Sequence, residues 1–143
     1  MHIPPHDNDN RPIIDINDAK VPYAFFNRVT LNRDEEFVYE LKEYESCIVP
    51  ATGSIIVNVY SLDERLIGNR INNVWDGEPE GVYVPTGLTA KIKCACDHAE
   101  IFIAGAKYSE QLQPFYIMGE DVDVVQYGLS LIHISEPTRR IHI

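Results

Sequence analysis

From Tyr23 onward, short runs rich in Val, Ile, Tyr and Phe alternate with Gly, Pro, Asn and Asp. This pattern predicts strands over residues 23–31, 36–41, 46–51, 54–60, 69–75, 81–84, 88–96, 99–106 and 121–126. Gly53, Gly77, Gly81 and Gly87 punctuate the runs, where tight reversals are needed. Between the runs, no segment of ordinary helical length places apolar residues at a 3.6-residue period, which argues against βαβ units and a parallel sheet. The expected class is all-β, a sandwich or barrel. Leu88, Ala90, Ile92, Cys94 and Cys96 fall on one strand face, and Thr89, Lys91 and Lys93 on the other, so this strand has a buried and a wet side. Ile101, Phe102, Ile103 and Ala104 are apolar on both faces, which calls for a cover from a second sheet or from another subunit. Residues 1–22 follow neither period and read as an extended arm, with Ile13, Ile14 and Ile16 able to pack on the domain.

Composition narrows the class. At 143 residues and 45% hydrophobic content, the chain is sized for one domain with its own core. Twelve Lys and Arg face 22 Asp and Glu, a net charge of −10, which argues against binding to nucleic acid or to an anionic membrane face. The apolar runs are far short of the roughly 20 residues of a membrane helix, and no basic-then-apolar leader opens the chain, so a cytoplasmic location is expected. Cys47, Cys94 and Cys96 are an odd set in a chain large enough to fold on its core, and reduced thiols are expected. Residues 129–143 (LSLIHISEPTRRIHI) break from the acidic character before them and read as an in-frame translation of a sequencing-library adapter. They are expected to lie outside the fold, which then spans residues 23–128 of a protein continuing past Gly128.

Two stretches resemble the cupin signature. Glu45 followed by SCIVPATG resembles the end of a first motif, H-x-H-x(3,4)-E, and Pro85-Thr86-Gly87 the start of a second, P-x-G-x-x-H. The metal ligands of such motifs have no counterpart. Val38 and Glu40, or Tyr39 and Leu41, stand where the paired histidines belong, and Ala90 stands at the later histidine. Imidazole nitrogen gives such a site its affinity for a transition metal, and a methyl group gives none. Longer matching stretches at residues 45–53, 74–87 (VWDGEPEGVYVPTG), 99–104 (AEIFIA) and 124–128 (VVQYG) resemble the N-terminal half of the 5-deoxy-glucuronate isomerase family, bicupin enzymes of bacterial myo-inositol catabolism. A sister family acts on 5-keto-4-deoxyuronate in pectin breakdown. The resemblance implies a cupin-type double-stranded β-helix (jelly roll). It also implies aldose to ketose isomerisation of a uronic acid, 5-deoxy-glucuronate to 2-deoxy-5-keto-gluconate, through an enediol. The divalent metal would sit on a His-x-His, Glu and His set in a C-terminal cupin outside this chain. On that reading the chain is the structural half of a homo-oligomeric enzyme acting on a small uronic acid, and no catalytic, cofactor-binding or metal-binding role falls to its residues. The alternative is a metal-free cupin module that binds a sugar or a protein partner.

Other features are weighed against simpler readings. Cys94-Ala95-Cys96 could begin a zinc site, but only Cys47 and His98 remain to complete it, so buried inert cysteines are favoured. His2, His6, Asp7 and Asp9 look ligand-like, yet Arg11 and Pro12 occupy the positions where a calcium loop needs oxygen and glycine, which leaves a turn-rich arm. Residues 75–80 (WDGEPE) could line a carbohydrate pocket or a subunit seam; a surface loop with a packed Trp75 is the simpler account. A uronate carboxylate would be met by Arg28, Arg33, Arg65, Arg70, Lys91, Lys93 or Lys107, among which sequence does not choose. No phosphate loop or nucleophile elbow is present.

Overall fold

The computed structural model describes residues 2–119. These form eight strands: β1 (Ala24–Asn32), β2 (Glu36–Glu40), β3 (Tyr44–Val59), β4 (Leu62–Arg70), β5 (Gly81–Val84), β6 (Thr89–Cys94), β7 (His98–Lys107) and β8 (Phe115–Ile117). Every pairing among them is antiparallel. One sheet runs β1-β7-β3-β5-β8, and β2, β6, β3 and β4 pair in that order as the second. Strand β3 belongs to both. Residues 44–52 of β3 pair with β7, and 46–48 also with β5; residues 53–59 turn into the other layer against β4 and β6. Among the described residues, no helix is long and apolar enough to cross a membrane.

The inner faces close on one apolar cluster. Val29 of β1, Ile48, Ile55 and Val57 of β3, Ile92 of β6 and Ile101 of β7 have no solvent exposure. Residues of both layers therefore share a single core, which is the jelly-roll arrangement. Strand β6 shows the expected alternation, with Ala90, Ile92 and Cys94 buried between exposed Thr89, Lys91 and Lys93. Cys96 lies past the strand's end, in the turn to β7, rather than continuing that face.

Three strand expectations need correction. The runs 46–51 and 54–60 are one strand, because the chain bends at Gly53 (φ +84°) and stays extended while its partners change and its register shifts on either side. A Cβ there would lie 2.6 Å from the carbonyl oxygen of His98, so only glycine lets the bend pass under the β6–β7 turn. The run 69–75 is not a strand beyond Arg70. Its place is taken by β4, whose charged Asp63, Glu64 and Arg65 mask the pattern, while residues 71–76 form a turn closed by side chains: Asp76 accepts from the Asn72 and Asn73 amides, and Asn73 from the Trp75 amide. Strand β8 was absent from the pattern. The expected strand 121–126 and the stretch 129–143 lie outside the described residues.

The arm follows the edge of β1. Backbone hydrogen bonds join Ile14 and Phe26 in both directions at 2.9–3.0 Å. Asn8 Nδ2 donates to the Arg28 carbonyl (2.9 Å), while Asn10 exchanges two bonds with Thr30, Nδ2 to O at 3.0 Å and N to Oδ1 at 2.8 Å. The Asp- and Asn-rich start of the chain thus acts as a side-chain strand that satisfies the outer edge of β1. Part of the outward cover called for at Phe102 comes from the same quarter: Phe102 stacks on Phe26 (5.6 Å between centroids) beneath arm residues Ile3 to Asp7.

Candidate functional site

In a cupin the reactive groups point into the barrel, so the positions matched to the two motifs are the first to locate. On β2, Phe37 and Tyr39 turn inward against the core, whereas Val38 is 55% exposed and Glu40 faces solvent. The Tyr39 hydroxyl lies 2.7 Å from Ser46 Oγ, an interior polar pair that satisfies both groups. Burial drives the Tyr39 phenol well above its ordinary value, more than the Ser46 hydrogen bond lowers it. Ala90 is fully buried, opposite Tyr39 on one side and Val59 on the other. Glu45 lies between inward Tyr44 and Ser46, so the pleat turns it outward, where it accepts a 2.6 Å bond from the Tyr83 hydroxyl. Burial, and then Glu45, push the Tyr83 phenol up. The motif positions therefore offer the interior a phenol already paired with Ser46, a leucine and a methyl group. These donors do not fit the divalent cation that the fold family implies.

The second motif serves the backbone. Thr86 and Gly87 bond to the Leu41 carbonyl, from Oγ1 at 3.4 Å and from the amide at 2.9 Å, and Gln111 Nε2 closes on the Thr86 carbonyl. Pro85-Thr86-Gly87 is thus a clasp between the end of β2 and the start of β6.

Open space lies outside the barrel. A cleft of about 890 Å³ separates arm residues 3–7 from β1 and β7 and is lined by Phe26, Arg28, Thr30, His98 and Phe102. Arg28 is held there by Glu100 at 2.6 Å. A second cleft, about 360 Å³, lies between the β3 bend, the end of β4 and the β6–β7 turn; Arg70, Cys96 and His98 line it. Of the basic pool, Arg33 pairs with Asp97, Lys91 with Glu36, and Arg70 Nε donates to the Gly77 carbonyl. Arg65 sits 6.0 Å from the Tyr116 ring centre. Arg28 and Arg70 thus front these two clefts.

The cysteines divide. Cys47 lies on the outer side of β3 beside Tyr83 and Ala104, and Cys94 and Cys96 lie at the β3 bend. His98 Nδ1 is engaged by Asn32 Oδ1 at 3.1 Å. Among the described residues, no three His, Cys, Asp or Glu side chains converge as metal ligands. Trp75, expected to pack, is 90% exposed, with Ile71 and Val74 exposed near it. The side-chain-closed turn holds its backbone in place and leaves the indole facing solvent.

The shape has clear relatives. An RmlC-like cupin with a double-stranded β-helix fold from Methanocaldococcus jannaschii superposes with a TM-score of 0.51 at 15% identity, over 76% of this chain and 92% of that one. An IolB-like protein from Salmonella typhimurium LT2 superposes with a TM-score of 0.66 at 24% identity, over 73% of this chain and 39% of that one. The molecule is a cupin of the double-stranded β-helix type. In sequence, a 5-deoxy-glucuronate isomerase from Listeria monocytogenes serotype 4b (strain CLIP80459) is 27% identical over 116 residues, 80% of this chain and 42% of that relative. The KduI/IolB family model matches residues 2–142, and the chain belongs to that family. It spans about two-fifths of the length of the curated relatives it matches (42%).

Proposed function

We propose that the chain is the N-terminal, structural half of a cytoplasmic uronate isomerase that converts 5-deoxy-glucuronate to 2-deoxy-5-keto-gluconate in inositol catabolism. The observation that carries this reading is the mismatch inside the barrel. The fold is a cupin, yet Ala90 and outward-turned Glu45 stand where the family's cation donors would be. A domain that keeps the barrel and fills the donor positions with a methyl group, a leucine and a phenol already paired with Ser46 serves as scaffold and interface. The divalent metal and the proton transfers then belong to the second cupin of a longer parent, which acts as a homo-oligomer on a small uronic acid, with no role for nucleic acid or membrane.

Two measurements test it. Reading the source DNA past the Gly128 codon, from a library made without transposase, is expected to show an open frame entering a second cupin with His-x-His, Glu and His. A stop codon there overturns the proposal. The 143-residue chain alone, supplied with divalent metal salts, is expected to leave 5-deoxy-glucuronate unconverted; turnover above blank assigns chemistry to this half and overturns its structural role.

The cleft beneath the arm favours one alternative, a metal-free module that binds a sugar acid, because the Phe26–Phe102 stack offers an apolar face beside Arg28, whose Nε is engaged by Glu100 and whose remaining guanidinium N–H groups would have to meet the carboxylate. Micromolar calorimetric binding of a uronate, lost in Arg28→Ala, supports that module; a flat titration removes it.

A further inference from the structure

The rim where the β3 bend meets the β6–β7 turn carries chemistry that the isomerase reading leaves unused. Cys94 ends β6 and is buried. Cys96 lies two residues on, half-buried at the cleft of about 360 Å³, and the two sulfurs are 3.9 Å apart. Cys96 Sγ accepts the Ser54 amide at 3.3 Å, with the carbonyl oxygens of His98 and Ser54 at 3.2 and 3.7 Å in reach of its S–H. Burial opposes ionisation of both thiols. At Cys94 burial prevails and the thiol is held up. At Cys96 the burial cost is outweighed by hydrogen bonds from the Ser54 amide and from Cys94, which hold this thiol below its ordinary value. The charged groups around the pair are Arg33 and its partner Asp97, 2.8 Å apart, with Asp34 beside them, and Arg70 on the wall of the same cleft; His98, bonded to Asn32, is the other titratable neighbour. One thiol thus fronts open space with a donor on its sulfur, and a second sulfur touches it from behind.

We propose that Cys96 and Cys94 form a thiol–disulfide exchange site for a small-molecule disulfide, with Cys96 attacking and Cys94 resolving. The Cys96 thiolate forms a bond to one sulfur of R–S–S–R, whose own S–S bond breaks and releases one thiolate. Cys94 then gives up its proton, its sulfur attacks Cys96 Sγ of the mixed disulfide, and the second thiolate leaves. Two protein thiols lose two electrons in all, and one R–S–S–R becomes two R–SH. The ring closed by a one-residue spacer is small, and strain of that kind makes a disulfide easy to reduce again. Cys47 supplies an internal control, because it lies on the outer side of the other sheet with its thiol pushed up by burial.

The test is a time course of the full chain with oxidised glutathione, quenched by alkylation and read by intact mass and peptide mapping. A Cys94–Cys96 disulfide is expected to accumulate while Cys47 is consumed at least about tenfold more slowly. In Cys94→Ala the reaction is expected to stop at a glutathione adduct on Cys96, and in Cys96→Ser the exchange at Cys94 is lost. The proposal is overturned if Cys47 reacts as fast as Cys96, if the unmodified chain keeps both thiols, or if Cys94→Ala gives no adduct. The first two outcomes are read on the unsubstituted chain and need no variant to fold. None of the outcomes depends on the isomerase reading, which is tested by turnover and by gene sequence.

Discussion

Strands β1 and β4 are both edges, β1 of the sheet it forms with β7 and β4 of the sheet it forms with the far half of β3, and they are protected in opposite ways. Along β1 the outward backbone groups of Phe26, Arg28 and Thr30 are met in turn by Ile13 and Ile14, by Asn8 and by Asn10. Along β4 the cover is sparse. The Tyr116 hydroxyl donates to the Asp63 carbonyl at 2.6 Å, Glu80 accepts the Gly68 amide at 2.8 Å, and exposed Asp63, Glu64 and Arg65 stand at the strand's start. The first edge is closed by complementarity and the second is guarded by charge, which discourages another chain from pairing there. Closure of the first kind is specific to a few residues, so it should be easy to break locally. Charge protection should cost nothing in stability to remove and should show itself in association instead.

The largest expected effect falls at the one place where β4 is tightly fitted. Gly68 has φ +105°, and a Cβ would collide with the carbonyl oxygen of Gly53, so Gly68→Ala should destabilise the fold by about 3 kcal/mol, read as a lowered urea midpoint. At the closed edge, Asn10→Ala leaves the Thr30 amide and carbonyl without their partner and should cost about 2 kcal/mol. Faster hydrogen exchange at the Thr30 amide, with β4 amides unchanged, would locate the loss at β1. A still smaller effect is expected from alkali. The Tyr39 and Tyr83 phenols are both held above their ordinary value in the fold, so the protonated forms are favoured by folding. Their contribution is fully present below the ordinary phenol range and is lost as pH rises from that range through the raised values that the fold imposes. Tyr39→Phe should therefore flatten the alkaline limb of a stability-against-pH curve. The smallest change in stability, within about 0.5 kcal/mol, is expected for Arg65→Val on β4. Its signature should be concentration-dependent association by light scattering, and a variant that remains monodisperse would show that charge does not guard this edge.

This comparison also shows what the chain's pattern could convey. Strand β6 was legible because one side of it is wet, and every second residue from Ala90 to Cys94 had to be apolar. Strand β4 was not, because an edge guarded by charge loses the alternation by which strands are recognised. The turn at 71–76 carries a strand's pattern for the converse reason: Ile71, Val74 and Trp75 are strand-forming residues, exposed here on a loop that Asn73 and Asp76 close. For the candidate site, the substitution at Ala90 could be read directly from spacing. The outward turn of Glu45 needed the pleat, and the service of Asn8 and Asn10 to β1 needed the fold, since a ligand-like cluster and an edge cover look alike in sequence. The contact between Cys94 and Cys96 depended on the chain leaving the strand after Cys94, a boundary that periodicity placed two residues late.

The shared strand also bears on how the chain is made. Strand β1 finds its sheet partner in β7, β2 in β6, and β3 in β5, β6 and β7, so among the described residues the first 80 can pair only the arm with β1 and β3 with β4. Growing from its N-terminus at a ribosome, the polypeptide must carry β2 and the first half of β3 unpaired, and β1 without its sheet partner, until residues 81–107 have emerged. Pairings this distant in sequence form slowly, because the loop must close before any ladder forms. For that interval the apolar face of β3 is exposed to every neighbouring chain, and the period of synthesis, more than the finished fold, is when this molecule is most exposed to aggregation.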